Sequence, residues 1–458
     1  MSTACQRVRD ALRRQPTDRV PWVPFVGVHG GALLGRSATD YLQSSDLLVA
    51  GLQEARRRYA PDGLPVVFDL QLEAEVLGCR LAWAEDAPPS VASHPLAEGK
   101  QLADLPDFDL SAGRFPVVLE AMRRLRQEWG EEVALYGLVT GPLTLAMHLW
   151  GTELFLALFD DPEGVQAVID HCAEIGRQVA EAYLAAGCSV IAVVDPMLSQ
   201  VGPDVVSERV LPAANRIFDA VAKADGRSSL FVCGDASRNL AAFCADARCD
   251  NISIDENIDL DQLVPLAAEH GKSVGGNLRL TVVLLLGDED NARRDALRCL
   301  TSGGETGFVL APGCDLPYGV PPANVAAAGS LAADPYQREI AAATTAQPTE
   351  LPDFPLPDYA REDAVLVDIV TLDSAACPPC RYMVDAVSAA AATGDLLVQW
   401  QEHKITGADG LAAMQALGVG QIPSICIDGQ VAFASRIPDR RELLEALRAA
   451  AERKSIAR

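Results

Sequence analysis

Three features of the sequence predict a (β/α)8 barrel followed by a small α/β domain. Apolar segments of strand length alternate with long amphipathic segments over residues 1–343, as in a parallel sheet with helical crossovers. A proline-rich segment then interrupts this pattern, and a shorter strand–helix pattern resumes over residues 364–458. The chain has 458 residues, which is long enough for two such domains.

Eight segments of the first domain have the composition of strands. They are, in order, VPWVPFVGV, LPVVFDL, VALYGLV, SVIAVVD, SLFVC, NISID, KSVGGN and TGFVLAPGC. The stretches between most of them, such as DPEGVQAVIDHCAEIGRQVAEAYLAAG, repeat apolar residues every three or four positions, as a helix facing a sheet does. Eight strands with helical crossovers favour a barrel. A doubly wound open sheet is the alternative, and the first two units are less regular than the others.

The segment TTAQPTELPDFPLPDYARED, residues 344–363, contains four prolines and no periodic pattern. Prolines at this density predict an extended, semi-rigid spacer between the domains. Beyond it, residues 364–458 predict a strand, a helix that begins at two cysteines, a second strand and helix, a hairpin and a final helix. The hairpin is predicted to turn at Asp428-Gly429.

Composition narrows the classes of partner. The formal net charge of −25 argues against nucleic acid or an anionic membrane surface as the main partner. The first residues do not resemble a signal peptide, and no apolar run approaches the length of a membrane span, so we expect a cytoplasmic protein. In that compartment, the twelve cysteines are expected to be thiols, metal ligands or redox pairs.

Polar side chains follow most of the predicted strands. In a barrel of this kind, the carboxyl ends of the strands surround the active site. We therefore expect four of these residues to bind substrate, although Asp195 could equally cap the next turn. The four are His29, Asp69, Asp195 and Asn277.

Two cysteines also end strands. Cys233 and Cys314 each precede a polar loop, which favours metal or thiol chemistry over a role as small apolar residues in the core. Two thiolates and a carboxylate can bind zinc and leave one position open for a substrate thiol. Zinc would keep that thiol deprotonated and nucleophilic.

The Cys377-Pro-Pro-Cys380 motif is predicted to begin a helix, whose dipole stabilises the first thiolate. In this context the motif favours redox chemistry over half of a zinc site. Residues 364–453 resemble the thioredoxin-like family in a short form. The resemblance implies that Cys377 is the nucleophile, that Cys380 is the resolving thiol and that Pro423 in QIPS is a cis-proline facing them.

Residues 1–330 resemble the uroporphyrinogen decarboxylase-like superfamily. The matching stretches include RVPWVPF, GLVTGPLTLAMHLWG, ISIDENIDL and LAPGCDLPYGVPPANV. Decarboxylases of the superfamily carry an arginine-rich motif after the first strand, where this chain has no arginine before Arg36, and a histidine where this chain has Cys314. These departures argue against porphyrinogen decarboxylation.

The nearer resemblance is to the zinc-dependent corrinoid:thiol methyltransferases. It implies zinc ligands at Cys233, at Cys314 and at Asp255 or Glu256, of which we favour Glu256. The histidine ligand of that branch is replaced by Phe231, for which His29, Asp195 or Asp235 are possible substitutes. The implied activity is methyl or alkyl transfer to a small-molecule thiol. A corrinoid would serve as methyl donor, free or on a separate protein, because no corrinoid-binding domain is evident.

Two other hypotheses remain open from the sequence. Cys233 and Cys314 could act without metal as a dithiol on a soft sulfur, selenium or arsenic compound, and the CxxC domain would reduce them again. Alternatively, the barrel could be inactive and the protein a redox sensor or binding partner. The many polar residues at strand ends speak against this last hypothesis.

Overall fold

The computed structural model describes residues 2–343, 351–359, 361–375, 377–393 and 396–456. The chain divides into two compact units. The first comprises Met1–Trp150 and Pro162–Gln347, and the second comprises Gly151–Asp161 and Pro348–Arg458. The change of unit after residue 347 falls within the predicted spacer, of which residues 344–350 and 360 lie outside the described part of the chain.

The first unit is built on a parallel sheet of seven strands, in which each strand pairs with its neighbours in the order of the chain. This order confirms a curled α/β sheet of the barrel type, because a doubly wound sheet reverses its strand order at a switch point. The strands are Gly63–Pro65, Ala134–Thr140, Val190–Val194, Arg227–Val232, Asn251–Ile254, Ser273–Leu278 and Phe308–Pro312.

The eighth predicted strand is reduced to a bridge at Trp22. The Leu310 amide donates to Pro21 O (3.0 Å) and the Val23 amide donates to Leu310 O (2.9 Å), which is a parallel pairing with the last strand. On the other side, the Asp62 amide donates to Trp22 O (2.8 Å) immediately before the first strand of the sheet. The two ends of the sheet are thereby joined. Prolines on both sides of Trp22-Val23 lack an amide hydrogen, which explains why pairing does not extend further.

Helices surround this sheet, and their buried faces repeat at helical spacing. In Pro162–Ala185, for example, Val165, Ile169 and Cys172 are buried. The α-helices of the first unit are Ala4–Leu12, His29–Leu33, Ala38–Leu42, Ser45–Tyr59, Leu72–Val76, Phe115–Trp129, Pro142–Trp150, Pro162–Ala185, Pro203–Val205, Leu211–Lys223, Leu240–Asp246, Leu260–Glu269, Glu289–Gly303, Pro322–Ala333 and Pro335–Ala343. Shorter elements are the 3-10 helices Leu102–Asp104, Pro196–Ser199 and Ser237–Asn239, the π-helices Val206–Val210 and Leu280–Leu285, and the paired strands Leu81–Ala82 and Ser90–Val91.

The first helix, Ala4–Leu12, and the turn after it cover the amino-terminal end of the sheet. The Cys5 amide donates to Glu131 O, three residues before a strand, and Arg14 donates to Lys272 O, directly before another. Side chains of this helix share one hydrophobic core with inward-facing strand residues such as Tyr136 and Ala192. Because this helix covers the amino-terminal end of the sheet, we expect a binding site at the carboxyl end.

The second unit contains a four-stranded sheet in the order Val398–Lys404, Val365–Thr371, Ser424–Ile427, Gln430–Ala434. The first pair is parallel and the other two pairs are antiparallel. Asp428 and Gly429 form the predicted turn, both at positive φ (47° and 74°), as a tight hairpin requires. The α-helices of this unit are Leu154–Asp160, Pro378–Ala391, Ala408–Ala416 and Arg440–Ile456, with a 3-10 helix at Gly151–Glu153.

Two segments differ from the predicted domain borders. Gly151–Asp161, predicted as part of the barrel, is grouped with the second unit, and within its α-helix only Leu154 is buried, so it adds little to a barrel core. The described end of the predicted spacer packs on the second unit instead of standing free. Its Phe354 ring meets His403 edge to face (5.4 Å), and Tyr359 donates to Asp368 (3.3 Å). Through these contacts, Phe354 and Tyr359 belong to the second unit, although the sequence predicted them in the spacer.

Among the described residues, one helical stretch, Pro142–Asp160, is long and apolar enough to cross a membrane, with a mean hydropathy of 1.3. Of this stretch, 56% is buried inside the protein. Core helices of soluble proteins pass the same test of length and composition, so the stretch is weak evidence for a membrane span.

The barrel closure generates a stability prediction. A Cβ atom at Gly329, in the helix Pro322–Ala333, would lie 2.4 Å from Nε1 of the buried Trp22 ring. We expect Gly329→Ala to lower the free energy of unfolding by about 1–3 kcal/mol through overpacking, measured by urea denaturation. Gly319→Ala is the matched control, because a Cβ atom there meets nothing within 4 Å. Equal midpoints for the two variants would contradict this account of the closure.

Candidate active site at the carboxyl end of the barrel

Cys233 and Cys314 lie side by side, although 81 positions separate them in the sequence. Cys233 follows the strand Arg227–Val232, and Cys314 follows Phe308–Pro312 after one glycine. Their Sγ atoms are 3.0 Å apart, and both side chains are half-buried. The structure therefore brings the two strand-end cysteines together at the carboxyl end of the barrel.

Hydrogen bonds fix the backbone on both sides of this pair. The Gly234 amide donates to the Asp255 carboxylate, and the Gly313 amide donates to Leu278 O (2.9 Å). Asp315, directly after Cys314, accepts from the Gly27 amide (2.7 Å) in the loop after Trp22. Burial raises the pKa of Asp315 well above its usual value. Sequence reasoning missed Asp315, although a carboxylate directly after a strand-end cysteine was a signal for it.

Phe231 occupies the position at which a histidine ligand was implied. It is fully buried, and its ring lies 5.0 Å from Phe25 and 5.8 Å from Phe68, centroid to centroid. Cys233 and Cys314 pack against the core that contains these three rings. The thiol pair therefore packs against a hydrophobic core in which Phe231 offers no nitrogen ligand.

Glu256, the favoured carboxylate ligand, lies against the last loop. A Cβ atom at Gly313 would lie 2.5 Å from Glu256 Oε2, and Oε1 accepts from the Leu280 amide (3.3 Å). Burial raises the pKa of both Asp255 and Glu256, and the Asp255 charge raises that of Glu256 further.

These donors do not fit the implied zinc site as they stand. In the described part of the chain, no group of three or more His, Cys, Asp or Glu side chains is arranged to hold a metal ion. The 3.0 Å between the two Sγ atoms is also shorter than the separation of about 3.8 Å that tetrahedral zinc with its usual Zn–S distance would impose. Two of the three implied ligands meet, but the set is not completed.

His29 is buried, and both of its ring nitrogens have partners within the protein. Nε2 is 2.7 Å from the Tyr59 hydroxyl, and Nδ1 is 3.1 Å from Tyr318 O. Burial lowers the pKa of His29, and the nearby Arg58 charge adds to this effect. With both nitrogens engaged, His29 holds the first loop against the last one.

Asp69 is buried beside Arg114. One carboxylate oxygen accepts from the Gln71 amide (2.8 Å), and the other is paired with the Arg114 guanidinium. The same guanidinium pairs with Glu75 (2.9 Å) and stacks on the Trp83 ring. The sequence analysis did not single out Arg114, which lies just before a helix and follows no strand.

Asp195 caps a neighbouring helix. Its carboxylate accepts from the amides of Leu143 and Thr144 (3.0 Å each) and from the Thr144 hydroxyl (2.6 Å), at the start of Pro142–Trp150. Burial raises the pKa of Asp195 to about 6, against the opposing effect of these hydrogen bonds. The alternative drawn from the sequence was a cap on the next turn, whereas the helix that Asp195 caps precedes it in the chain.

Asn277 ties together two loops. Its amide nitrogen donates to the backbone oxygens of Asp255 (3.0 Å) and Ile258 (2.7 Å), and its oxygen accepts from Arg298 (3.2 Å).

Glu73, which the sequence did not indicate either, is buried and accepts from the amide and hydroxyl of Thr140. The polar residues at this end therefore largely bind one another.

The other seven cysteines of the first unit are all buried. Burial raises the pKa of each of these seven thiols above its usual value. They are Cys5, Cys79, Cys172, Cys188, Cys244, Cys249 and Cys299. Cys233 and Cys314 are thus the two accessible thiols of that unit.

In the second unit, Cys377 is the residue directly before the helix Pro378–Ala391. Its Sγ lies 2.7 Å from Sγ of Cys380, which is fully buried, whereas Cys377 is half-buried. The Ile422–Pro423 peptide bond is cis, and Pro423 precedes the strand Ser424–Ile427. The CxxC motif therefore presents one thiol and shields the other.

Comparison with known proteins assigns the first unit. The family model of uroporphyrinogen decarboxylase (URO-D) matches residues 3–333. The chain belongs to this family. The match confirms the resemblance that the sequence predicted for residues 1–330 and leaves the C-terminal region outside it.

Relatives within the URO-D family include methyltransferases. The chain is 28% identical over 335 residues to the methylcobamide:CoM methyltransferase MtbA of Methanosarcina acetivorans, covering 70% of this chain and 95% of that protein. It is 29% identical over 336 residues to the methylcobamide:CoM methyltransferase MtaA of Methanosarcina barkeri, with the same coverage. The solved structure of a methyltransferase from Methanosarcina mazei covers 75% of this chain and 100% of its own, with a TM-score of 0.66 and 23% identity, and has the same fold.

The neutral, buried His29 generates a pH prediction. Its pKa is lowered in the folded state, so below its unfolded pKa of about 6.5 the unfolded chain binds more protons and stability is lost as the pH falls. We expect wild type to lose more unfolding free energy between pH 7.5 and 5.5 than His29→Gln, by up to about 1.4 kcal/mol per pH unit. Urea denaturation at each pH measures the difference. The control His270→Gln, at an exposed position, should follow wild type, and parallel profiles for wild type and His29→Gln would contradict the prediction.

Proposed function

We propose that the first unit transfers a methyl group to the sulfur of a small-molecule thiol. The observation that carries this proposal is the half-buried pair Cys233 and Cys314 at the carboxyl end of a URO-D family barrel. Relatives that are methylcobamide:CoM methyltransferases, aligned over most of their length, support the same reaction class. A methylcobamide, free or on a separate protein, is the proposed methyl donor and acts as a substrate.

The charges of the first loop argue against porphyrinogen decarboxylation. A porphyrinogen with four carboxylates needs cationic partners in the site. The loop that follows Trp22 carries no lysine or arginine from Val23 to Gly35, and Arg36 is exposed. At the last strand, Cys314 stands where the decarboxylase resemblance implies a histidine. The first loop and the last strand end therefore lack the cationic partners that a porphyrinogen needs.

In the proposed reaction, a C–S bond forms as the bond between the methyl carbon and its donor breaks. The electron pair of the broken bond stays with the donor, and the thiol proton passes to solvent before attack. Cys233 and Cys314 pack on the hydrophobic core that contains Phe25, Phe68 and Phe231, which gives the proposed methyl-binding site an apolar base. The anchored loops around Cys233 and Cys314 would position the acceptor sulfur. Because the donor set does not fit zinc, no step is assigned to a metal.

We infer that residues 364–453 form a thioredoxin-like unit with thiol–disulfide oxidoreductase activity. Cys377 lies at a helix N-terminus, where the helix dipole favours its thiolate. The buried Cys380 thiol is close enough to form a disulfide with Cys377. Cys377 is the proposed nucleophile, Cys380 the resolving thiol, and Pro423 the cis-proline of the substrate-binding surface. The βαβαββα order of the described elements supports this assignment.

The methyl-transfer proposal predicts the effect of removing either barrel thiol. We expect Cys233→Ala and Cys314→Ala each to lower the rate of thiol-dependent methylcobalamin demethylation by about 100-fold or more, equivalent to about 2.7 kcal/mol. The change in the visible spectrum of the corrinoid measures the rate, with coenzyme M among the thiols tested.

Cys244→Ala is the matched control, because Cys244 is a buried cysteine of the helix Leu240–Asp246 and ends no strand. It should retain the wild-type rate. Full activity in both Cys233→Ala and Cys314→Ala would contradict the proposed site. If wild type decarboxylates a porphyrinogen, the proposed methyl transfer is wrong and the chain has the activity for which the family is named.

The redox proposal predicts a loss of disulfide reductase activity in Cys377→Ser. We expect its rate of insulin disulfide reduction, with dithiothreitol as reductant, to fall by about 100-fold because no nucleophilic thiolate remains at the helix N-terminus. Cys426→Ala should keep the wild-type rate, since Cys426 is buried within a strand and burial raises the pKa of its thiol to about 12. Equal rates for Cys377→Ser and wild type would exclude the assigned role.

A further inference from the structure

We propose that Cys233 and Cys314 form a reversible disulfide and reduce low-molecular-weight disulfides, and that the Cys377–Cys380 pair returns them to the dithiol state. This inference goes beyond methyl transfer and does not depend on it. It assigns a redox role to two barrel cysteines that do not form part of a complete zinc site.

The separation of the two sulfurs is the first observation. At 3.0 Å, the Sγ atoms need to approach by only about 1 Å to reach a disulfide bond length. The residues that follow the two cysteines are held by Gly234–Asp255 and Gly27–Asp315 hydrogen bonds, which anchor each loop to a neighbouring one. Two thiols held in contact by a rigid frame form a disulfide with little loss of conformational entropy.

The surroundings of the pair are the second observation. A third metal-binding donor is not arranged beside them within the described residues, and Phe231 fills the place of the implied histidine. The pair instead packs against the hydrophobic core that contains Phe231. Two adjacent thiolates repel each other and are costly to bury beside such a core, which favours the neutral disulfide.

Accessibility is the third observation. Of the nine cysteines in the first unit, seven are buried, and only Cys233 and Cys314 are half-buried. A small disulfide arriving from solvent would therefore react at this pair first, because attack requires access to a thiolate. The second unit repeats the arrangement, with Cys377 and Cys380 at an Sγ–Sγ distance of 2.7 Å.

The proposed reaction balances in two half-reactions. One barrel thiolate attacks a sulfur of R–S–S–R, releasing RS⁻ and forming a mixed disulfide, and the other barrel thiolate displaces the second RS⁻. Two electrons pass to the substrate, which leaves as two RSH after taking up the two protons of the barrel thiols. Cys377 then attacks the barrel disulfide, Cys380 resolves the mixed disulfide, and an external dithiol reduces the resulting Cys377–Cys380 disulfide.

The first experiment maps disulfides in the full-length Cys377→Ser/Cys380→Ser chain, in which the CxxC pair cannot return the barrel pair to the dithiol state. Reduced protein is freed of reductant, exposed to hydroxyethyl disulfide, quenched with acid, alkylated and analysed as peptides by mass spectrometry. We expect a peptide pair joined through Cys233 and Cys314, with the other seven cysteines of the first unit alkylated. If Cys233 and Cys314 are both alkylated after this exposure, the inference is overturned.

The second experiment tests the role of the CxxC pair. Oxidised wild type and oxidised Cys377→Ser/Cys380→Ser chain are given limiting dithiothreitol, and the Cys233–Cys314 peptide is followed over time. We expect it to disappear about 10-fold faster in wild type, whether exchange occurs within one chain or between two. Equal rates would remove the CxxC pair from the proposal, and Cys426→Ser should behave as wild type.

Metal content separates the inference from the alternative role of the pair. Stoichiometric zinc in wild type purified under reducing, chelator-free conditions, lost in Cys233→Ser/Cys314→Ser, would assign the thiols to a metal and overturn the redox assignment. Failure of the methylcobalamin assay with formation of the Cys233–Cys314 disulfide would remove methyl transfer and leave the redox assignment standing.

Discussion

The parallel bridge between Trp22 and Leu310 is the contact on which the candidate site depends. It joins the first segment of the barrel to the last strand and so closes the sheet on itself. Closure places the loop after Trp22 against the loop after the last strand, where the Gly27 amide meets the Asp315 carboxylate. A Cβ atom at Gly27 would lie 2.3 Å from that carboxylate, so the approach requires a glycine. The loop that contains Cys314 is thereby held from the side of Trp22 as well as from the neighbouring strand end, where the Gly313 amide donates to Leu278 O.

Most polar groups at the carboxyl end are engaged in holding loops. Asp195 caps a helix, Asp69 pairs with Arg114, Asn277 links two loops, and both nitrogens of His29 have partners. Buried polar groups of this kind cost free energy unless they are paired, so each partner is required for the loops to keep their shape. The half-buried thiol pair, which packs against the hydrophobic core, is therefore the group left for chemistry.

The same thiol pair serves both proposals, but it acts differently in each. Methyl transfer needs a sulfur nucleophile positioned beside an apolar wall, whereas disulfide exchange needs two thiols that can reach bonding distance. Phe231 affects both reactions. Compared with the implied histidine, it offers no metal-binding nitrogen, and it adds an aromatic ring to the core. A second dithiol on the same chain has a clear use if the barrel thiols are oxidised in turnover, and less use if they only bind a metal.

The sequence by itself determined the class of the fold, because alternating apolar strands and amphipathic helices are local patterns that a single segment carries. It also located the CxxC helix, the hairpin at Asp428-Gly429 and the strand-end positions of Cys233 and Cys314. Only the tertiary structure decided which strand ends meet, which polar groups satisfy each other and which remain accessible. Arg114, Glu73 and Asp315 were missed because their partners lie 45, 67 and 288 positions away in the chain. The packing of Phe354 and Tyr359 on the second unit was missed for the same reason, since a proline-rich composition describes local stiffness but not distant contacts.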